Sequence, residues 1–227
     1  MIPLPLRDDI PRRRFPLVTA AIIAANALAW LFELRHGVVL ATLDYGLIPS
    51  WLVGGIREGP FQLPIGPVTL HQEVPFPWTV LTSMFMHGGW LHVAGNMWFL
   101  WIFGDNVEEA MGRARFVVFY VLCGLIAALA QVAAWPTASV PMVGASGAIA
   151  GVLGAYLVLY PRARVRCLWI LIVFVTFVNV PAWALLGLWF VSQFFVPVEA
   201  GVAAMAHVGG FLAGLGLVRV FQGRRAW

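Results

Sequence analysis

Six long apolar runs limit what this chain can fold into: residues 15–34, 84–103, 116–135, 144–160, 167–196 and 201–217. A helix rises 1.5 Å per residue, so about 20 apolar residues cross a hydrocarbon core of ~30 Å. The runs are that long or nearly so. With 61% of 227 residues hydrophobic and only 11% charged, too little polar surface remains for a water-soluble domain. The expected fold is an all-α polytopic membrane protein with six transmembrane helices. The expected plan is a cytoplasmic N-terminal segment over 1–14, a transmembrane domain over 15–221 and a cytoplasmic tail over 222–227.

The placement of the basic residues orients that plan. All are Arg, and most fall in alternate connections: Arg7, Arg12, Arg13 and Arg14 before the first run, Arg113 and Arg115 after the second, Arg162, Arg164 and Arg166 after the fourth, and Arg219, Arg224 and Arg225 after the last. Only Arg35 and Arg57 lie in the other loops. The positive-inside rule therefore puts both termini in the cytoplasm. An even number of crossings follows, so the long fifth run counts as one helix. The net charge of +4 is accounted for by topology and calls for no nucleic-acid partner.

The first run has a basic flank and an Ala25-Asn26-Ala27 triplet like a signal-peptidase site, but apolar residues 28–32 continue past it. An uncleaved helix is expected. Cys123 and Cys167 stand apart, which favours packing roles over a disulfide or metal site. The segment 36–83 is apolar for a loop, with Trp51-Leu52-Val53 and Pro75-Phe76-Pro77-Trp78, and is expected to lie partly in the membrane interface. No internal repeat suggests a transporter built from duplicated bundles.

The fourth run is short. A helix from Gly147 to Tyr160 rises roughly 21 Å, less than the bilayer core. With Arg162 and Arg164 pinning its cytoplasmic end, its outer end starts below the membrane surface. Non-helical backbone at that depth needs a protein lining or water. Ser146 is therefore expected at the floor of an outward-opening wet cavity.

Polar residues inside spans are functional candidates, with interhelical hydrogen bonding as the bland alternative. His92 and Asn96, four residues apart, share one face of the second helix. Gly144, Gly147 and Gly151 on the fourth run, and Gly210 and Gly214 following His207 on the sixth, let backbones approach closely. That approach would bring Ser146 to His207, whose neutral imidazole could take the serine proton. The acids Asp44, Glu58, Glu73 and Glu199 lie in loops, so a two-residue Ser-His pair is expected rather than a triad. His92 and Asn96 would donate to an oxyanion, with the backbone N–H of Ser146. His87 and His92 are spaced i, i+5, with no H-E-x-x-H pairing, so no metal is expected.

The stretch Met86-His87-Gly88-Gly89-Trp90-Leu91-His92-Val93-Ala94-Gly95-Asn96, then Gly144-Ala145-Ser146-Gly147, then Ala206-His207-Val208-Gly209-Gly210 with Gly214, resembles in order and spacing the signatures of the rhomboid intramembrane serine proteases. The resemblance implies a rhomboid-like bundle with a short central helix 4 and a partly embedded first loop. It implies Ser146 as nucleophile, His207 as general base, His92 and Asn96 at the oxyanion hole, and Glu108 and Gly112 in a structural turn. It implies a lateral gate near helices two and five, single-pass transmembrane proteins as substrates, and no cofactor. The lipid bilayer is the expected setting, and the absence of a transit-type leader points to the plasma membrane. The alternative is a catalytically inactive rhomboid-like protein that binds clients in membrane-protein quality control. Retention of Ser146, His207, His92 and Asn96 argues against it.

Two positions depart from the family pattern. Ala150 stands where Tyr or Phe usually stacks on the histidine, and Trp78-Thr79 replaces a frequent Trp-Arg pair. A ring wall for His207 is therefore expected from Trp183, Trp189 or another aromatic.

Overall fold

A computed structural model describes residues 3–54, 60–63, 66–69, 74–171, 174–197 and 201–223. Glu58, Glu73, Glu199, Arg57, Arg224 and Arg225, each assigned above to a loop or tail, lie outside the described residues. The chain runs β1 (Leu4–Arg7), α1 (Leu17–His36), α2 (Val38–Tyr45), α3 (Pro49–Leu52), β2 (Pro60–Leu63), β3 (Gly66–Thr69), α4 (Phe76–Thr82), α5 (Trp90–Met111), α6 (Arg113–Ala134), α7 (Ser146–Leu159), β4 (Arg164–Leu171), β5 (Phe174–Pro181), α8 (Ala182–Ser192) and α9 (Ala204–Phe221). A 3-10 turn, Gln193–Phe195, extends α8. Among the described residues, α1, α6 and α9 are long and apolar enough to cross a membrane, while α7 and the helix from Ala182 to Phe195 are shorter apolar helices. Helix α5 has 22 residues but carries Asp105, Glu108 and Glu109 towards its end.

Helix α7 is the core. Every residue from Gly147 to Tyr156 is buried, as expected for a helix apolar on all sides. Its face towards α9 is made of glycine. A Cβ on Gly210 would lie 2.0 Å from the Gly147 carbonyl oxygen, and one on Gly214 would lie 1.9 Å from that of Gly151. On the α6 side, a Cβ on Gly151 would fall 2.4 Å from the Cys123 Cβ. The backbones of α7 and α9 are thus in direct contact.

Glu108 ties the first helix to the bundle. The first N–H groups of a helix have no partner within it, and here a side chain from α5 supplies one. Oε1 accepts from the Val18 N–H at 3.0 Å, and Oε2 accepts from the Thr19 N–H at 2.7 Å and the Thr19 hydroxyl at 2.9 Å. Both Glu108 and Thr19 are buried. A carboxylate at a helix N-terminus also meets the positive end of the dipole. Gly112, at φ +80° between α5 and α6, makes the turn that follows.

The N-terminal residues dock against the bundle. Tyr156 and Asn106 both donate to Asp8 Oδ2, the latter at 2.7 Å. Trp98 Nε1 donates to the Pro5 carbonyl at 2.7 Å, and the Arg164 N–H donates to Asp9 at 2.8 Å. Strand β1 then pairs antiparallel with β4, and β4 with β5, in a three-stranded sheet ordered β1-β4-β5.

That sheet, with the two-stranded β2-β3 hairpin, corrects the all-α expectation. The fifth run was expected to be one crossing helix. It is a β-hairpin followed by an α8 of 11 residues. The cause is local: residues 170–180 are dominated by Ile, Val, Phe and Thr, which favour strands, and hydropathy alone does not separate a buried strand from a buried helix. Pro181, at the α8 N-cap with ψ 141°, keeps the strand from continuing the helix. In the 36–83 segment, Leu47, Ile48 and Trp51 are buried, and Leu47 packs with Ala128 and Val132 of α6. Trp51 is therefore a packing residue within the protein. Cys123 and Cys167 are buried and free.

Glu108→Ala should lower unfolding stability in detergent by about 3 kcal/mol, because buried N–H groups lose a charged acceptor. Glu108→Gln should retain part of it. Gly214→Ala should cost about as much through backbone overlap with Gly151. Thermal unfolding of the purified variants measures both.

Candidate active site

The turn into α7 is built on Gly144. Its φ is +123°, a region that favours glycine, and its N–H donates to the Ser83 carbonyl at 2.8 Å. Ala145 caps α7 and Ser146 is the first helical residue. Ser146 thereby presents its hydroxyl beside the unpaired N–H groups of a helix N-terminus.

Close contact of α7 and α9 brings His207 to it. His207 Nε2 lies 2.8 Å from Ser146 Oγ. On the other side of the ring, Nδ1 lies 2.7 Å from Gln193 Oε1. Both nitrogens are engaged, so the ring is held at each edge. The aromatic wall comes from Trp189, whose ring centre is 5.8 Å from that of His207 with 38° between planes. Trp183, the other candidate, is 60% exposed and does not serve. Ala150 is fully enclosed among core residues.

His92 and Asn96 face the same turn from α5. A Cβ on Gly144 would lie 2.7 Å from His92 Nε2 and 3.6 Å from Asn96 Nδ2. The Gly88 N–H approaches His92 Nδ1 at 3.3 Å. An N–H can only donate, so Nδ1 is the acceptor and Nε2 carries the proton, facing Gly144. Asn96 Nδ2 is buried with no hydrogen-bond partner among the described residues. A buried donor left empty costs roughly 1–3 kcal/mol; Asn26 Oδ1, Trp30 Nε1, His87 Nε2, the Tyr120 hydroxyl and Trp169 Nε1 are likewise unpaired among the described residues, and what sets Asn96 apart is its place beside Gly144.

Ser146, His207, His92 and Asn96 are thus drawn together, as are Gly144, Gly147, Gly151, Gly210 and Gly214. A cavity of about 20 Å³ next to Ser146 is lined by Met84, Ala127, Met142, Gly147 and Ala206 among others, enough for one water.

Three polar residues were not anticipated. Gln193 lies in the long fifth run, where a single amide among apolar residues was the available signal. Gln131, likewise inside a span, accepts the Ala206 N–H at 3.1 Å and so braces the start of α9. Glu33 lies in the last turn of α1. It is buried, and both its oxygens accept the backbone N–H of His87, at 3.0 and 2.9 Å. Its bonds go to the turn before α5 and not to His207, so the Ser-His pair has no carboxylate among the described residues.

Gly144→Ala should be poorly tolerated, through the positive φ and the overlap with His92. We expect labelling of Ser146 by a fluorophosphonate to fall at least about tenfold, while the unfolding temperature changes by a few degrees. Competitive labelling read by gel fluorescence, with a parallel thermal scan, checks it.

The comparisons with known proteins agree with one another. The family model described as "Rhomboid domain" matches residues 76–224, which include all four polar residues of the site. YdcA of Bacillus subtilis (strain 168) is 31% identical over 150 residues, covering 64% of this chain and 63% of that protein. Rhomboid protease GlpG of Salmonella paratyphi A is 26% identical over 212 residues, covering 92% of this chain and 68% of GlpG. RHOMBOID-like protein 5 of Arabidopsis thaliana is 30% identical over 154 residues, 64% of this chain and 45% of the relative. Several curated relatives are thus matched over less than two thirds of their own length. The family model covers well over half of the sequence, and the chain belongs to the rhomboid family.

Proposed function

We propose that this chain is an intramembrane serine endopeptidase that cleaves transmembrane segments of membrane proteins with Ser146 and His207. The observation that carries the reading is the 2.8 Å contact between His207 Nε2 and Ser146 Oγ at the N-terminus of α7. It is supported by the unpaired Asn96 amide and by relatives named as rhomboid proteases, such as GlpG.

In this reading Ser146 Oγ attacks the scissile carbonyl while His207 Nε2 takes its proton. The oxyanion that develops is met by His92 Nε2–H, Asn96 Nδ2–H and the Ser146 N–H, of which the Asn96 amide is unpaired before substrate arrives. His207 then protonates the leaving amine, and the acyl-enzyme forms. A water entering beside Ser146 gives up a proton to His207 and attacks the ester; His207 then returns that proton to Ser146 Oγ as the C–O bond breaks and the carboxylic acid product leaves. Nothing in these steps requires a cofactor.

The membrane arrangement belongs to the same proposal. Helices α1, α5, α6, α7, α8 and α9 would be the six crossings of a domain over 15–221, with 1–14 and 222–227 on the cytoplasmic side of a plasma membrane. Single-pass transmembrane proteins would be the substrates, cut near their outer ends, since the N-terminal end of the short α7 would face that side.

The test is cleavage of a labelled transmembrane substrate by protein reconstituted in vesicles. Ser146→Ala and His207→Ala should each lower the rate by roughly 10⁴-fold or more with unfolding temperatures near wild type. Cleavage by Ser146→Ala at the wild-type rate would sink the reading.

A further inference from the structure

We propose that Gln193 is a positioning residue for this chemistry: its side-chain carbonyl holds His207 in the Nδ1–H tautomer, leaving the Nε2 lone pair for Ser146. The proposal rests on the Ser146–His207 reading above. The contact with Ser146 cannot by itself choose the tautomer, because a hydroxyl both donates and accepts. An amide oxygen only accepts. With Gln193 Oε1 at 2.7 Å from Nδ1, Nδ1 must carry the proton, and Nε2 is then the acceptor facing Ser146 Oγ.

The surroundings of the amide fix which of its ends faces the ring. Gln193 Nε2 donates to the Trp189 carbonyl at 3.0 Å and to Ser192 Oγ at 3.2 Å. A carbonyl can only accept, so the nitrogen belongs on that side. Ser192 spends its own proton on the same Trp189 carbonyl at 2.6 Å, which leaves its oxygen free to accept from Gln193. A flipped amide would turn an oxygen towards the Trp189 oxygen and an N–H towards Nδ1, losing these bonds together. Gln193 is 6% exposed, so water offers no substitute partner.

The choice of an amide fits its place. A carboxylate there would be buried with no cation among its partners, and an unpaired buried charge is costly. Glutamine orients the ring with a neutral dipole. Trp189, one helical turn before Gln193, supplies the ring wall for the same histidine. Ring wall and tautomer lock therefore both come from the end of α8, the segment that stands in for the aromatic missing at Ala150.

Two variants and one spectrum test this. Gln193→Met matches the volume and lacks the acceptor, whereas Gln193→Glu, buried there as the neutral acid, keeps a carbonyl oxygen for Nδ1 and an O–H for the Trp189 carbonyl. In vesicles, Gln193→Met should lower kcat by about 10- to 10³-fold with KM within about threefold, since tautomer control acts on proton transfer and not on substrate binding. Gln193→Glu should recover at least about tenfold of that loss. Nitrogen-15 NMR of histidine-labelled full-length protein in micelles, with His207→Ala for assignment, should show Nδ1 protonated in wild type and a mixture in Gln193→Met. Equal kcat for Met, Glu and wild type would overturn the proposal, as would a wild-type ring protonated on Nε2. The spectrum does not depend on turnover. An inactive wild type with Nδ1 protonated would therefore count against the protease reading and leave the tautomer assignment standing. Active wild type, inactive Ser146→Ala and fully active Gln193→Met would count against Gln193 alone.

Discussion

The direct backbone contact of α7 and α9 is the constraint on which the rest depends. Carbonyl oxygens of Gly147 and Gly151 rest against the Cα positions of Gly210 and Gly214, where any side chain would overlap them. In lipid there is little hydrophobic drive between helices, so close packing and dispersion do most of the work. The same contact sets the separation of Ser146 and His207, the first residue of one helix and an early residue of the other. A wider spacing would leave each polar group unpaired in an apolar core. Packing and site geometry are therefore one problem with one solution.

Around that axis, polar groups are spent on fixing ends. Glu108 caps α1, Glu33 receives the turn before α5, Gln131 receives the start of α9, and Asp8 gathers Tyr156 and Asn106. Each pairs a backbone or side-chain polar group with a partner from another element. Asn96 Nδ2 is one of six buried side-chain atoms without a partner among the described residues, and it lies 3.6 Å from the Cβ position of Gly144.

The end of α8 adds a second layer to the site. Short as it is, this helix ends in a 3-10 turn that aims Gln193 at His207, while Trp189 covers the ring. Its shortness follows from the hairpin before it. Residues that hydropathy would assign to one long span are used as strands β4 and β5, the first of which also receives β1. The N-terminal residues are thereby stitched to the connection between α7 and α8, so that both flanks of the bundle share a sheet.

Much of this was legible in the residues themselves. Apolar runs and composition gave the membrane class, and the small residues around Ser146 and His207 announced a close approach, because glycine spacing and helix periodicity are local properties. The shortness of α7 could be counted. What holds His207 could not be read: Gln193 lies fourteen positions away, and only the turn at the end of α8 brings its carbonyl to the ring. Glu33 could not be read either, because the His87 N–H from which it accepts is 54 positions away. The fifth run read as helix because hydropathy is blind to strand pairing, and pairing with β1 joins residues about 160 positions apart. Sequence alone determined which elements are apolar and where backbones can touch. Tertiary structure decided which polar groups meet, because hydrogen bonds are set by position in space and not by order along the chain.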